Sequence, residues 1–248
     1  MSRVLITAGA SGIGLAMGQA FDAAGYEVWV TDVDADALAA VPDGWVARRC
    51  DAADEAGVAE VMAEAGTLDV LCANAGIAGP TAQVEDVALG DWRTCVSVNL
   101  EGAFLAVKHG LPAMKAAGRG SVIFTSSTAG IFGYPNRAPY AAAKWAVIGL
   151  MKTVAMEAGP FGVRANAICP GAVEGSRMEG VLAREASAKG MTRDQVYDGY
   201  AAGTSMRFFV EAADIADMAV FLGSDAARRV SGQVIAVDGH TENPDPKL

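Results

Sequence analysis

Val4-Leu5-Ile6-Thr7-Ala8-Gly9-Ala10-Ser11-Gly12-Ile13-Gly14 reads as a short apolar strand running straight into a glycine-rich turn. A helix-like stretch follows to Phe21-Asp22-Ala23-Ala24 and stops at Gly25. Strand, glycine turn and helix in that order form the context a dinucleotide site requires. Glycines let the backbone come close to a pyrophosphate, and a helix N-terminus offers unpaired N–H groups and the positive end of its dipole. The second strand, Glu27-Val-Trp-Val-Thr31, ends at Asp32, 18 residues past Gly14. An acid there can accept hydrogen bonds from the adenosine ribose hydroxyls and would repel a 2′-phosphate. Neither Ser11 nor Val33 supplies a cation to offset that repulsion, so the pattern favours NAD over NADP. A tight structural turn beside an ordinary surface Asp is the plainer reading, and the coincidence of the three features argues against it.

Working outward, Trp45-Val-Ala-Arg-Arg-Cys50 reads as a third strand ending at Asp51, with helix through about Glu64. Leu68 to Ala73 makes a fourth strand, and Asn74-Ala75-Gly76 is a turn at its carboxyl end. A helical pattern from Leu89 to about Met114 carries Asn99 among apolar neighbours, an awkward place for a poor helix former. Gly120-Ser-Val-Ile-Phe-Thr125 is a fifth strand with Ser126-Ser127 at its end, Val210 to Gly223 is a further helix, and Gly232 to Val237 is the last strand. Alternating strand and helix predicts an α/β fold with a parallel, doubly wound sheet that binds ligands at the strands' carboxyl ends.

The chemistry concentrates in Tyr140-Ala-Ala-Ala-Lys144, inside a helix expected to begin near Pro139. Residues four apart share a helix face, so phenol and ammonium can be neighbours. A cation roughly 4 Å away, at an effective dielectric of about 20, interacts by about 4 kcal/mol. That can draw a phenol, which ordinarily ionises near pH 10, towards neutrality, although burial of the phenolate opposes part of it. Such a Tyr can take a proton from an alcohol or give one to a carbonyl. A solvated Tyr and Lys on an amphipathic helix is the plain alternative, and the company the pair keeps decides between them.

Composition bounds the remaining possibilities. A chain of 248 residues, 52% hydrophobic with 29 Gly, suits one well-buried α/β domain. The net charge of −10 argues against a nucleic-acid surface or an anionic membrane as partner. No apolar run reaches the roughly 18 residues of a membrane span. Met1-Ser2-Arg3 before the first strand is too short for a signal peptide. Cys50, Cys72, Cys95 and Cys169 are widely spaced with no metal-ligand pattern, and three of them read as small buried hydrophobes. A cytoplasmic protein with no metal is expected.

Taken in order, the glycine turn 7–14, Asp51, Asn74-Ala75-Gly76, Asn99, Ser127, Tyr140 with Lys144, and Pro170-Gly171 resemble the short-chain dehydrogenase/reductase family from Leu5 to about Gly239. The resemblance implies a Rossmann-type sheet of seven parallel strands in one domain, and often a homotetramer built on two long helices. It implies that Tyr140 is the acid/base and that Lys144 lowers its pKa and binds the nicotinamide ribose. Ser127 would hold the reacting oxygen, and Asn99 a water that links Lys144 to solvent. Gly9, Ser11, Gly12, Ile13 and Gly14 would cradle the pyrophosphate and Asp32 the ribose. Asp51 with Ala52 would meet the adenine, the Asn74-Ala75-Gly76 backbone the adenosine ribose, and Pro170, Gly171 and Val173 would complete the dinucleotide site. The chain departs from the family in three places: Ala8 where Gly is usual, Ala73 before Asn74 where a second Asn is common, and Gly175 where a Thr usually holds the carboxamide, so that either the adjacent Ser176 substitutes or the contact is lost.

Residues 174–207 are the least family-like and are expected to form substrate-covering helices, one of them capped at Thr192-Arg-Asp-Gln195. Arg177, Arg184, Lys189 and Arg193 could face an anionic substrate, but Glu174, Glu179, Glu185 and Asp194 are interleaved with them, the pattern of a solvated face. Asn136 and Arg137, just before Tyr140, are the better substrate contacts. The tail from Thr241 is expected to be mobile or to reach a neighbouring subunit. The leading expectation is an NAD-dependent dehydrogenase acting on a secondary alcohol of a small polar molecule, a sugar, polyol or hydroxy acid. A carbonyl or 3-oxoacyl reductase and a catalytically silent dinucleotide-sensing or scaffold protein are the alternatives.

Overall fold

The structure is a computed structural model that describes residues 2–245. Strand and helix alternate: β1 (Arg3–Thr7), α1 (Gly12–Ala23), β2 (Glu27–Asp32), α2 (Ala35–Ala39), β3 (Val46–Arg49), α3 (Glu55–Ala65) and β4 (Val70–Ala73). The chain continues through α4 (Leu89–Val96), α5 (Gly102–Ala117), β5 (Gly120–Thr125), α6 (Ala138–Ala158) and β6 (Val163–Pro170). It ends with α7 (Ser176–Lys189), α8 (Arg193–Ala202), α9 (Ala212–Gly223) and β7 (Val234–Val237). The strands form a single seven-stranded sheet in the order β3-β2-β1-β4-β5-β6-β7, parallel at every pairing. The order reverses between β1 and β4, which opens a crevice at their carboxyl ends.

Both faces are covered because successive strand residues point to opposite sides. Leu5 and Leu71 face a core shared with α3, α5 and α6, where Met62, Met114 and Met151 are buried. Val4, Ile6 and Val70 face the other way, onto Met17 and Phe21 of α1 and Ile215 and Leu222 of α9. A third, smaller cluster joins α7 to α8 through Leu182, Val196, Tyr200 and Phe209. It sits under the segment expected to cover the substrate. Thr192 caps α8 and Gln195 returns the bond, the reciprocal pair expected there.

The helix expected from Leu89 to Met114 is interrupted. Ser97–Glu101 form a wide π-helical turn with Asn99 at its centre. Asn99 Nδ2 donates to the carbonyl of Cys95, four residues back, at 2.9 Å and to that of Ile77 at 3.0 Å. Those bonds draw the side chain inward and accommodate an otherwise poor helix former; such bulges cluster at functional sites.

The described part of the tail is not free. Thr241 pairs with Thr204, the Glu242 N–H donates to the Gly203 carbonyl at 2.8 Å, and Asp245 meets Lys189 Nζ at 2.6 Å. Residues 241–245 therefore hold this chain's own α7 and α8, because one β-bridge and one ion pair fix the strand-like tail; residues 246–248 lie outside the described part.

Candidate active site

The glycine turn comes first. Ala8 sits at φ 51°, the left-handed conformation for which Gly is favoured, so Ala supplies the family's turn at a steric cost. A Cβ on Gly14 would lie 2.1 Å from the Ala8 carbonyl oxygen, which is why the first turn of α1 can approach β1 so closely. Ser11, the N-cap, makes no side-chain cap bond, so the leading N–H groups of α1 stay available to an anion. Asp32 is fixed beside this turn: its carboxylate accepts from the Ala10 N–H at 3.3 Å and the Asp34 N–H at 3.2 Å. Gly9 packs against Val30 instead of facing the cleft.

The end of β4 is tied to its neighbours. Thr7 Oγ1 accepts from the Asn74 and Ala75 N–H groups, both at 3.0 Å. Asn74 Nδ2 donates to the Thr7 and Ala8 carbonyls, and its Oδ1 accepts from Thr125 Oγ1. The Asn74 side chain is thus spent on joining β1, β4 and β5. Gly76 then passes close enough to α6 that a Cβ would meet Asn99 Oδ1 at 2.6 Å and Lys144 Nζ at 3.2 Å.

On α6, Lys144 is buried and its ammonium donates to the Thr125 carbonyl at the end of β5, at 2.8 Å. Ser126 Oγ donates to the Lys144 carbonyl at 2.8 Å, which staples the helix to the strand end. Tyr140 lies one turn earlier, with the Lys144 ammonium 5.8 Å from its ring centroid. Burial pushes the phenol's pKa up, but Lys144, Arg177, a hydrogen bond from Ser127 and Arg137 outweigh it, and the phenol stands below its ordinary value. Burial also lowers the Lys144 pKa, against the pull of Tyr140. The buried Asn99 Oδ1 has no partner among the described residues, an acceptor aimed at the space beside Lys144.

Most of these groups line one cavity of about 290 Å³, with Gly9, Asp32, Ala75 and Asn99 just behind its lining. Its lining takes Ser11, Gly12, Ile13 and Gly14 from the glycine turn, Ser127, Tyr140, Lys144 and Arg137 from the β5–α6 region, and Pro170, Gly171, Val173 and Ser176 from the end of β6 onward. Asp51 and Ala52 lie outside it; Asp51 is exposed and accepts from the Ala53 N–H at 2.9 Å. Asn136 adopts φ 61° and gives its carbonyl to the Ala82 N–H, so that it is set back from the cavity while Arg137 lines it. The phosphate end, the Tyr140 end and the lid thus share one continuous space. A seven-stranded parallel sheet with this cavity at its switch point fits a nicotinamide dinucleotide.

A family model described as enoyl-(acyl carrier protein) reductase matches residues 7–240. The chain belongs to the short-chain dehydrogenase/reductase family. The cis-4-hydroxycyclohexanecarboxylate dehydrogenase of Sinomonas cyclohexanicum is 36% identical over 95% of this chain and 94% of that one. The trans-4-hydroxycyclohexanecarboxylate dehydrogenase of the same organism is 41% identical over 74% of this chain, which spans 64% of that relative. A solved NAD+-bound xylitol dehydrogenase superimposes with a TM-score of 0.91 at 27% identity, covering 96% of this chain and 98% of that one. This short-chain dehydrogenase is an oxidoreductase acting on CH–OH groups. No helix of its described residues is long and apolar enough to cross a membrane.

The lid departs from its sequence reading. Arg193 does form a surface pair with Glu179, as interleaved charge suggests. Arg177, however, lines the cavity and its charge reaches Tyr140. Glu185 is only 2% exposed instead of solvated; it accepts from Tyr200 Oη at 2.6 Å, with Lys189 Nζ 3.4 Å away. Tyr134, whose phenol is pushed up to about 12 by burial, also lines the cavity, a place that no sequence motif marks. Its hydrogen bond to Thr128 Oγ1 joins residues only six apart, yet nothing in the intervening pattern signals it.

Proposed function

We propose that this short-chain dehydrogenase uses NAD to interconvert a secondary alcohol and a ketone on a small polar molecule, with Tyr140 as acid/base. The observation that carries the reading is the meeting of Ser127, the half-buried Tyr140 and the buried Lys144 on the lining of one cavity, where Lys144, Arg177, Ser127 and Arg137 draw the phenol's pKa down against desolvation. When bound, the dinucleotide supplies the hydride chemistry. Ser127 holds the substrate oxygen, and Tyr140 takes the hydroxyl proton during oxidation or returns it during reduction. Lys144, anchored on the Thr125 carbonyl, keeps the phenol poised and would bind the nicotinamide ribose. Asn99 Oδ1 accepts from a water that passes the proton onward, a role its unpartnered buried oxygen suits. Ser11 to Gly14 and the 74–76 backbone would hold the dinucleotide, with Asp51 and Ala52 toward its adenine and Pro170, Gly171, Val173 and Ser176 toward its nicotinamide, while Gly9 would shape the turn from behind.

Asp32 supports NAD over NADP, since its carboxylate is fixed where a 2′-phosphate would need a cation. Arg49, beside it in register, gives its Nε to the Val33 carbonyl at 3.2 Å. Sugars, polyols and hydroxy acids, including the hydroxycyclohexanecarboxylates of its relatives, form the test panel, read by NADH absorbance. Oxidation of at least one of them with about tenfold or greater preference for NAD in kcat/KM is expected, and an equal preference for NADP would sink the cofactor assignment. The exposed Phe104 of α5 and Met156 of α6 support assembly as a homotetramer on those helices, checked by light scattering. The four free, buried cysteines suit a cytoplasmic location.

A further inference from the structure

Arg137 is 6% exposed and lines the cavity with Tyr140, its guanidinium 4.7 Å from that ring's centroid. A guanidinium carries five N–H donors. Here Nη2 donates to the Ala78 carbonyl at 3.2 Å, and Nε is buried with no partner among the described residues. The facing carboxylate, Glu185, stays 3.7 Å from Nη1, beyond a hydrogen bond. Its charge is divided, since it also accepts from Tyr200 Oη and faces Lys189. A buried donor left without a partner costs about 1–3 kcal/mol, and a buried cation costs more unless an anion meets it.

The surroundings have the same sign. Arg137, Lys144 and Arg177 line the cavity against one carboxylate, Glu174, in a chain whose net charge is −10. Glu174 is itself engaged, accepting from Tyr197 Oη at 2.8 Å. A cationic cavity in an acidic protein concentrates small anions. The contacts of Arg137 are Ala78, Tyr140 and Glu185, none of them in the glycine turn that would meet the dinucleotide's phosphates.

We propose that Arg137 is the seat of a substrate carboxylate, so that the substrate is a hydroxy acid whose carboxylate lies across the Tyr140 ring from the glycine turn. The planar fork of the guanidinium matches a carboxylate in two parallel hydrogen bonds, and a neutral sugar or polyol supplies no charge to meet it. Arg177, on the lid side, adds attraction as the acid enters. This deepens the dehydrogenase reading and rests on it for the reacting hydroxyl alone.

The test is calorimetric titration of the NADH-saturated protein with two unreactive acids, cyclohexanecarboxylate and butyrate, and with their carboxamides and inorganic phosphate. At least one acid is expected to bind about tenfold or more tightly than its amide and than phosphate. Arg137→Gln should abolish that preference while NADH still binds, and Arg137→Lys should keep part of it. Acids that bind no better than amides, phosphate that binds best, or a preference that survives in Arg137→Gln each overturn the proposal. The wild-type acid-to-amide comparison decides even where a variant fails to fold. Acid binding without oxidation of any panel alcohol would remove the dehydrogenase reading and leave the carboxylate seat standing. Oxidation of neutral polyols with no acid preference would do the reverse.

Discussion

On one side of the cleft, α6 holds Tyr140 and Lys144 against the ends of β4 and β5. On the other, α7 and α8 form a lid whose cluster of Leu182, Val196, Tyr200 and Phe209 is separate from the two main cores. The sheet side is fixed by bonds to main-chain atoms, among them Lys144 to the Thr125 carbonyl, Ser126 to the Lys144 carbonyl and Asn74 to the Thr7 carbonyl. The lid is held by that small apolar cluster and by main-chain bonds at its edges, such as Glu242 N–H to the Gly203 carbonyl, and adds side-chain charges, Glu185 with Lys189 and Lys189 with Asp245. Backbone anchors follow from the register of the sheet, whereas a charge pair survives only where both long side chains are placed by tertiary contact. Chemistry common to a family belongs on the first wall, while substrate choice falls to the residues at its mouth, Arg137 at the start of α6 and Arg177 on the lid.

The sharpest way to break that division is Tyr140→Phe. It should lower kcat by about a thousandfold while NADH binding is retained, because general acid–base catalysis typically contributes 10²–10⁴-fold. Turnover that survives this change would remove the sheet wall's catalytic role. Lys144→Met should follow, with about a hundredfold loss in kcat/KM. The sign of its pH effect is fixed: Lys144 opposes the burial that raises the phenol's pKa, so its loss raises that pKa. The deprotonated phenol needed for alcohol oxidation then forms only at higher pH, and the rising limb of the pH–rate profile should move upward. A limb that stays in place would show that Lys144 acts by position alone.

Gly76→Ala tests how tightly the first wall is built. A Cβ there would meet Asn99 Oδ1 at 2.6 Å, so turnover should fall about tenfold while the melting temperature changes little, since a small misplacement of catalytic groups is costly. Unchanged kinetics would mean that the wall yields. Ala8→Gly should be the mildest on that side, stabilising the protein by about 1 kcal/mol in denaturant titration by relieving the left-handed Ala. On the lid, Thr192→Ala removes one half of a capping box and should cost about 1 kcal/mol locally. Faster hydrogen exchange across both α7 and α8, with the sheet's protection unchanged, would show that the lid opens as a unit, and exchange confined to 193–202 that α8 loosens alone. Loosening that spread into β4 and β5 would join the two walls into one.

Much of the sheet wall was legible without coordinates. The glycine turn, Asp32, Asn99 and the Tyr140–Lys144 spacing are local patterns, and local geometry follows from a few neighbouring residues. The Ala8 departure showed in the letters, and its left-handed backbone is what a tight turn before α1 demands. Interleaved charge on the lid points to solvated side chains, yet Glu185 is buried and Arg177 lines the cavity, because alternating charge along a helix says nothing of which turn faces a cavity. Asn136 and Arg137 looked equivalent in sequence, and a single left-handed residue sends one away from the cleft and the next into it.

The amino-acid order alone settled the alternation of strand and helix, the glycine turn and the spacing that puts Tyr140 and Lys144 one turn apart on a helix, since each is set by contacts within a few residues along the chain. Tertiary structure alone decided that Arg137 and Glu185, 48 residues apart, come to face one another, that Asn99 keeps an unpartnered oxygen beside Lys144, and that the tail returns to hold α7. Those meetings depend on how the layers close around the sheet, and the energy of a buried charge is set by whatever arrives beside it in space.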